Sequence, residues 1–122
     1  MLPLWEQVEV TSRDKDLRAS LEDAAARKRR FGAAMAKKLK LRFDALRAAE
    51  SLADFWPPKS GPERCHELLG ESKGVFSIDV KQPYRLLFLP TQSIAPSDRS
   101  DEHERWKSIK AVELLAVEDT HG

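Results

Sequence analysis

The sequence predicts an α+β domain, with an N-terminal strand, two antiparallel helices and a mainly antiparallel three-strand unit, the helices packed on one face of the sheet. Three observations carry this. Between Leu17 and Leu46 apolar residues recur at three- and four-residue steps, the spacing of a helix face. From Val75 onward the period changes to two, the spacing of a half-buried strand. Between them lies "FWPPKSGPER", whose consecutive prolines and glycine cannot continue a helix.

Each element follows in order. Trp5, Val8 and Val10 are apolar among Glu and Gln, giving a first strand over Trp5–Val10. Thr11 and Asp14 have capping-box spacing and start a helix near Ser12. Leu17, Leu21, Ala24 and Ala25 form its narrow apolar stripe, and Gly32 breaks the helical stretch. A second helix then places Phe31, Met35, Leu39, Phe43 and Leu46 on one face. In the strand region Pro83 cannot donate to a ladder and belongs in a turn. A three-residue loop, Lys81–Pro83, pairs Val80 with Tyr84, Ile78 with Leu86 and Phe76 with Phe88, all facing the core. The same register sets Arg85 opposite Asp79 on the other face, either as a plain cross-strand ion pair or as an acid orienting a guanidinium. "PTQSIAPSDRSDEHE" reads as a long polar connection, with His103 solvated. Trp106 packs the start of the last strand, and Ile109–Val117 is apolar on both faces, as a central strand requires.

Composition bounds the function. At 122 residues, with 41% hydrophobic and 34% charged residues, the chain reads as one globular domain over 1–122. A formal net charge of +1 gives no bulk attraction for nucleic acid. Its distribution is uneven: Arg27 to Arg42 holds eight Lys or Arg and no acid, which points to a polyanion or acidic partner, or to a solvated helix face. Cys65 is the sole cysteine, so an intrachain disulfide and CxxC metal clusters are excluded. "MLPLWEQVEV" lacks the pattern of a signal peptide and no apolar run is long enough to span a bilayer, so a cytoplasmic location is expected.

The ordered elements, with "RCHELLGESKGVFSIDVKQPYRLLFLP", "GAAMAKKLKLRFDALRAAESLADF" and the closing "VELLAVEDTH", resemble the HigB branch of the RelE/ParE superfamily of toxin–antitoxin toxins. The likeness covers nearly the whole chain apart from Thr91–Arg105. It implies a ribosome-dependent messenger RNA endonuclease, held off by a small HigA-like helix-turn-helix antitoxin and using no cofactor or metal. His66 matches the family's "H-x-L" histidine and Arg85 the arginine of "P-x-R-L-x-F". Lys73 follows the glycine-rich turn, and Asp119 with His121 matches a C-terminal "D-Y-H". Thr120 stands where that pattern has tyrosine. The resemblance thus nominates His66, Lys73, Arg85, Asp119 and His121 as catalytic. The same fold also hosts DNA gyrase inhibitors, and a module that only binds its antitoxin is a third reading.

Overall fold

The computed structural model describes residues 7–72, 74–91 and 101–119. It is an α+β arrangement. Strand β1 (Glu9–Ser12) leads into helices α1 (Lys15–Glu22) and α2 (Ala24–Ala48), followed by β2 (His66–Glu67), β3 (Phe76–Lys81), β4 (Tyr84–Pro90), α3 (Glu102–Ser108) and β5 (Ala111–Asp119). The five strands order as β1-β5-β4-β3-β2, parallel between β1 and β5 and antiparallel elsewhere. The apolar β5 is thus interior, as its two-sided composition requires. Among the described residues no helix is long and apolar enough to cross a membrane.

The first strand sits later than its composition suggests, and Thr11 lies within it. Asp14 caps α1 instead, accepting from Leu17 N at 2.9 Å. Asp23 then takes an extended conformation and caps α2 through Ala25 N. In an unbroken helix Asp14 and Arg30 would lie about 24 Å apart. Their side chains meet at 3.7 Å, so the chain turns back on itself at Asp23. Gly32 makes the second break, at φ 80° and ψ 163°. A Cβ there would meet nothing, so the conformation and not space calls for glycine.

Two members of the basic run are not on the surface. Arg27 is buried, donating to the carbonyls of Ser20 (2.8 Å) and Leu21 (3.3 Å) at the open end of α1. Its guanidinium lies 5.7 Å from the Phe43 ring centre. Arg42 is also buried, with Nε 2.6 Å from the Asp79 carbonyl. A docking face read from this run therefore loses these two. The other six are exposed; Arg30 and Lys40 face Asp14 and Asp44, and Lys28, Arg29, Lys37 and Lys38 remain for such a face.

Leu17, Leu21, Leu39, Phe43 and Leu46 of the helices form one core with Phe76, Ile78, Leu86, Phe88, Val112 and Leu114 of the sheet. Phe76 opposes Phe88, Ile78 opposes Leu86 and Asp79 opposes Arg85, as the alternation predicts. The turn differs. Lys81, not Val80, pairs with Tyr84, and the register shifts between Asp79 and Lys81. This irregularity is a β-bulge: one extra residue keeps Val80 in the core while shortening the loop to Gln82–Pro83. Arg42 donates to the Asp79 carbonyl at that point. Tyr84, expected in the core, is 43% exposed at the strand end.

The predicted polar connection runs into α3, whose first residues Glu102–Glu104 are its last. Acidic Glu102 and Glu104 lie in its first turn and basic Arg105 and Lys107 in its last, the arrangement that suits a helix dipole. Trp106 is fully buried and meets Phe76 edge-on at 5.6 Å. His103 is more than solvated, since it stacks on Trp56 at 4.7 Å. Trp5 lies outside the described residues.

Candidate functional site

The chain between Trp56 and Cys65 is a tight polar loop whose turns place two non-glycine residues at positive φ, Lys59 (65°) and Arg64 (48°). Such conformations cost about 1–2 kcal/mol each for an L-residue and tend to gather at functional sites. Lys59 N to the Cys65 carbonyl (2.9 Å) and Arg64 N to the Ser60 carbonyl (3.1 Å) close the loop on itself. Cys65 anchors it in the core, fully buried. Burial and the Glu63 carboxylate push its thiol up to about 12, so it stays protonated and unreactive.

His66 opens β2, directly opposite Ser77 of β3. Opposed residues in an antiparallel pair share a face, and alternate residues along a strand do too. His66, Ser77, Asp79, Arg85 and Leu87 therefore project to one side of the sheet, away from the side of Phe76, Ile78, Leu86 and Phe88. Two strand spacings and a two-residue offset set the His66 and Arg85 backbones about 12 Å apart. Side chains of these lengths can both reach a phosphate held between them.

Asp79 is the electrostatic hub. Its Oδ1 faces Arg85 Nε at 3.2 Å, with both side chains mostly buried. Its Oδ2 faces Arg64 Nε at 3.5 Å, and that side chain is about half exposed. The Asp79 amide donates to the Glu63 carbonyl at 2.7 Å, tying the loop to the strand. On its other flank Arg85 stands opposite Glu118 of β5. One carboxylate thus holds two guanidinium groups, one fixed and one near solvent.

His66 Nδ1 lies 2.8 Å from the Arg64 carbonyl. A carbonyl oxygen can only accept, so Nδ1 carries the proton. In the neutral ring Nε2 then holds the lone pair and is the nitrogen able to take a proton. Ser77 Oγ, buried opposite His66, has no hydrogen-bond partner among the described residues. Together these groups can hold an anion and exchange a proton beside it. Among the described residues no group of three His, Cys, Asp or Glu is placed to hold a metal ion.

Of the residues nominated from sequence, the register brings His66 and Arg85 to one face. Asp119 stands opposite Tyr84, one residue out of phase with Arg85, and so projects to the other side. Lys73, Thr120 and His121 lie outside the described residues. Arg64 was not nominated, although it contacts both His66 and Asp79. The signal available was a lone cation two residues before the histidine, at the exit of a Pro/Gly-rich turn.

No protein-family model matches the chain. No curated protein sequence matches it either. Among solved structures, one described as a YoeB/ParE toxin from Agrobacterium tumefaciens is similar over 94% of this chain and 99% of its own. Sequence identity is 16% and the TM-score is 0.47.

Proposed function

We propose that this chain is the toxin of a type II toxin–antitoxin pair of the RelE/ParE kind, of the HigB subtype, and that it cleaves messenger RNA on the ribosome without a metal. The observation that carries the reading is the His66 imidazole, with Nδ1 bound to a carbonyl and Nε2 left as base, on the same sheet face as Arg85.

The chemistry is an internal transesterification. Nε2 of His66 takes the proton of the 2′-hydroxyl, and the freed oxygen attacks the adjacent phosphorus. The bond from phosphorus to the 5′-oxygen breaks, and that oxygen takes up a proton. The products are a 2′,3′-cyclic phosphate and a 5′-hydroxyl. A positioned general base is worth about 10²–10⁴-fold in such a step. Arg85, held in place by Asp79, stabilises the negative charge that grows on the phosphoryl oxygens. Lys73 is proposed as a further cation and His121 as the source of the leaving-group proton, while Asp119, on the opposite side of the sheet from Arg85, is given no step. The exposed Lys28, Arg29, Lys37 and Lys38 fit local contacts to ribosomal RNA. Docking on a large assembly suits a protein whose net charge is too small to hold free RNA by many phosphate contacts. The partner that restrains it is a HigA-like helix-turn-helix antitoxin, and the pair acts in the cytoplasm.

Induction in bacteria without an antitoxin tests this, alongside His66→Ala and Arg85→Ala. Growth arrest by the parent, relieved in both variants with their far-ultraviolet circular dichroism intact, is the expected result. Mapped transcript ends should show cuts in the parent alone. Arrest that persists in both variants together with DNA-damage signalling points instead to gyrase. No arrest at all leaves an antitoxin-binding module.

A further inference from the structure

We infer that Arg64 is an additional phosphate-binding cation of this site, parked on Asp79 when RNA is absent. The inference rests on the nuclease reading above and adds to it a residue that the family resemblance did not supply.

Arg64 acts through two separate parts. Its backbone, at φ 48°, turns the carbonyl onto His66 Nδ1 and so sets which ring nitrogen is basic. Its side chain reaches the outer oxygen of Asp79 at 3.5 Å, longer than the 2.7–2.9 Å of a strong charge-assisted bond. Arg85 differs in both respects. It is largely buried, closer to Asp79, and has Glu118 across the neighbouring strand pair. Arg85 is held in a mostly buried ion pair, whereas Arg64 faces one carboxylate oxygen from a half-exposed position. A phosphate dianion or diester entering beside His66 offers Arg64 a bidentate partner in place of that long contact. The guanidinium can swing from Asp79 to the phosphate while the backbone, pinned by the hydrogen bonds of Arg64 N to Ser60 and Asp79 N to Glu63, stays where it is.

The left-handed backbone supplies a test with unusual separation. Arg64→Gly removes the guanidinium yet suits φ 48° better than arginine does. A structural side chain predicts that R64G unfolds more easily. A phosphate-binding side chain predicts an unchanged or higher melting temperature with at least a tenfold loss of cleavage on translating ribosomes. Binding of a short single-stranded RNA to the isolated protein, followed against salt, should lose about 0.7 from the slope of log K on log salt, the share of one phosphate contact. Arg64→Lys should keep that slope and recover part of the cleavage. If the parent cuts and R64G cuts equally well, the role given to Arg64 is wrong and the nuclease reading stands. If R64G loses cleavage and melting temperature together, the side chain is structural. If the parent cuts nothing, both fall.

Discussion

Replacing Asp79 by asparagine keeps the side chain's shape and removes the charge that two arginines share. The pair with Arg85 lies between side chains only 13% and 20% exposed, so solvent screens it little. Asp79 Oδ1 and Arg85 Nε form an ion pair without hydrogen-bond geometry, and leaving the guanidinium without its countercharge in such a place costs about 1–3 kcal/mol. The contact with Arg64 is longer and that side chain is 53% exposed, which reduces it to about 0.5 kcal/mol. Asp79→Asn should therefore cost about 2–3 kcal/mol, nearly all of it through Arg85. With a urea m-value of about 1.5 kcal/mol/M for a domain of this size, the midpoint should fall by about 1.5 M. Double-mutant cycles then apportion the loss, pairing Asp79→Asn first with Arg85→Met and then with Arg64→Gly. The coupling to Arg85 should exceed that to Arg64 by at least about 1 kcal/mol. Equal couplings, or a total loss under about 1 kcal/mol, would refute the division into one fixed and one near-solvent guanidinium.

Two further outcomes concern the frame around the site. Arg42→Met strands the buried Asp79 carbonyl at the bulge and should cost about 1–3 kcal/mol, a fall of roughly 6–10 °C in melting temperature at its middle value; an unchanged melting curve would mean water replaces the guanidinium. Cys65 should resist a thiol reagent such as dithionitrobenzoate in the native protein at pH 8. Because its folded value, about 12, lies above the ordinary 9.0, the unfolded chain loses this proton first as pH rises. The thiol's stabilisation is whole below pH 9.0 and drains away toward about 12, which gives the parent a steeper alkaline decline than Cys65→Ala. Parallel declines would show that the thiol ionises alike in both states.

The hairpin was legible because Phe76, Ile78, Leu86 and Phe88 alternate strictly, and burying one face of an alternating strand fixes its register. The bulge was not. It depends on Arg42, 37 positions away, satisfying a carbonyl that strand periodicity says nothing about. In the same way Arg27 reads as one more surface cation until the fold sets it against the carbonyls that close α1. Helix α3 could have been found, since acids and bases segregate to its two ends around Trp106. The site was half visible. His66 and Arg85 stand out by residue type and resemblance, and their shared face follows from pairing. Arg64 was hidden because its part in the cluster depends on a left-handed backbone that glycine or asparagine normally signals.

The order of strands also bears on how the protein is made. β5 lies between β1 and β4, yet it is the last described strand to leave a ribosome, about a hundred residues after the strand it joins in parallel. Until it emerges, β1 has no neighbour in the sheet and β4 has only one. Closing so long a stretch of chain carries a large entropic cost before any contact rewards it. Folding should therefore wait for synthesis of the final strand, and whatever activity the hairpin face possesses should appear abruptly at that moment instead of growing with the nascent chain.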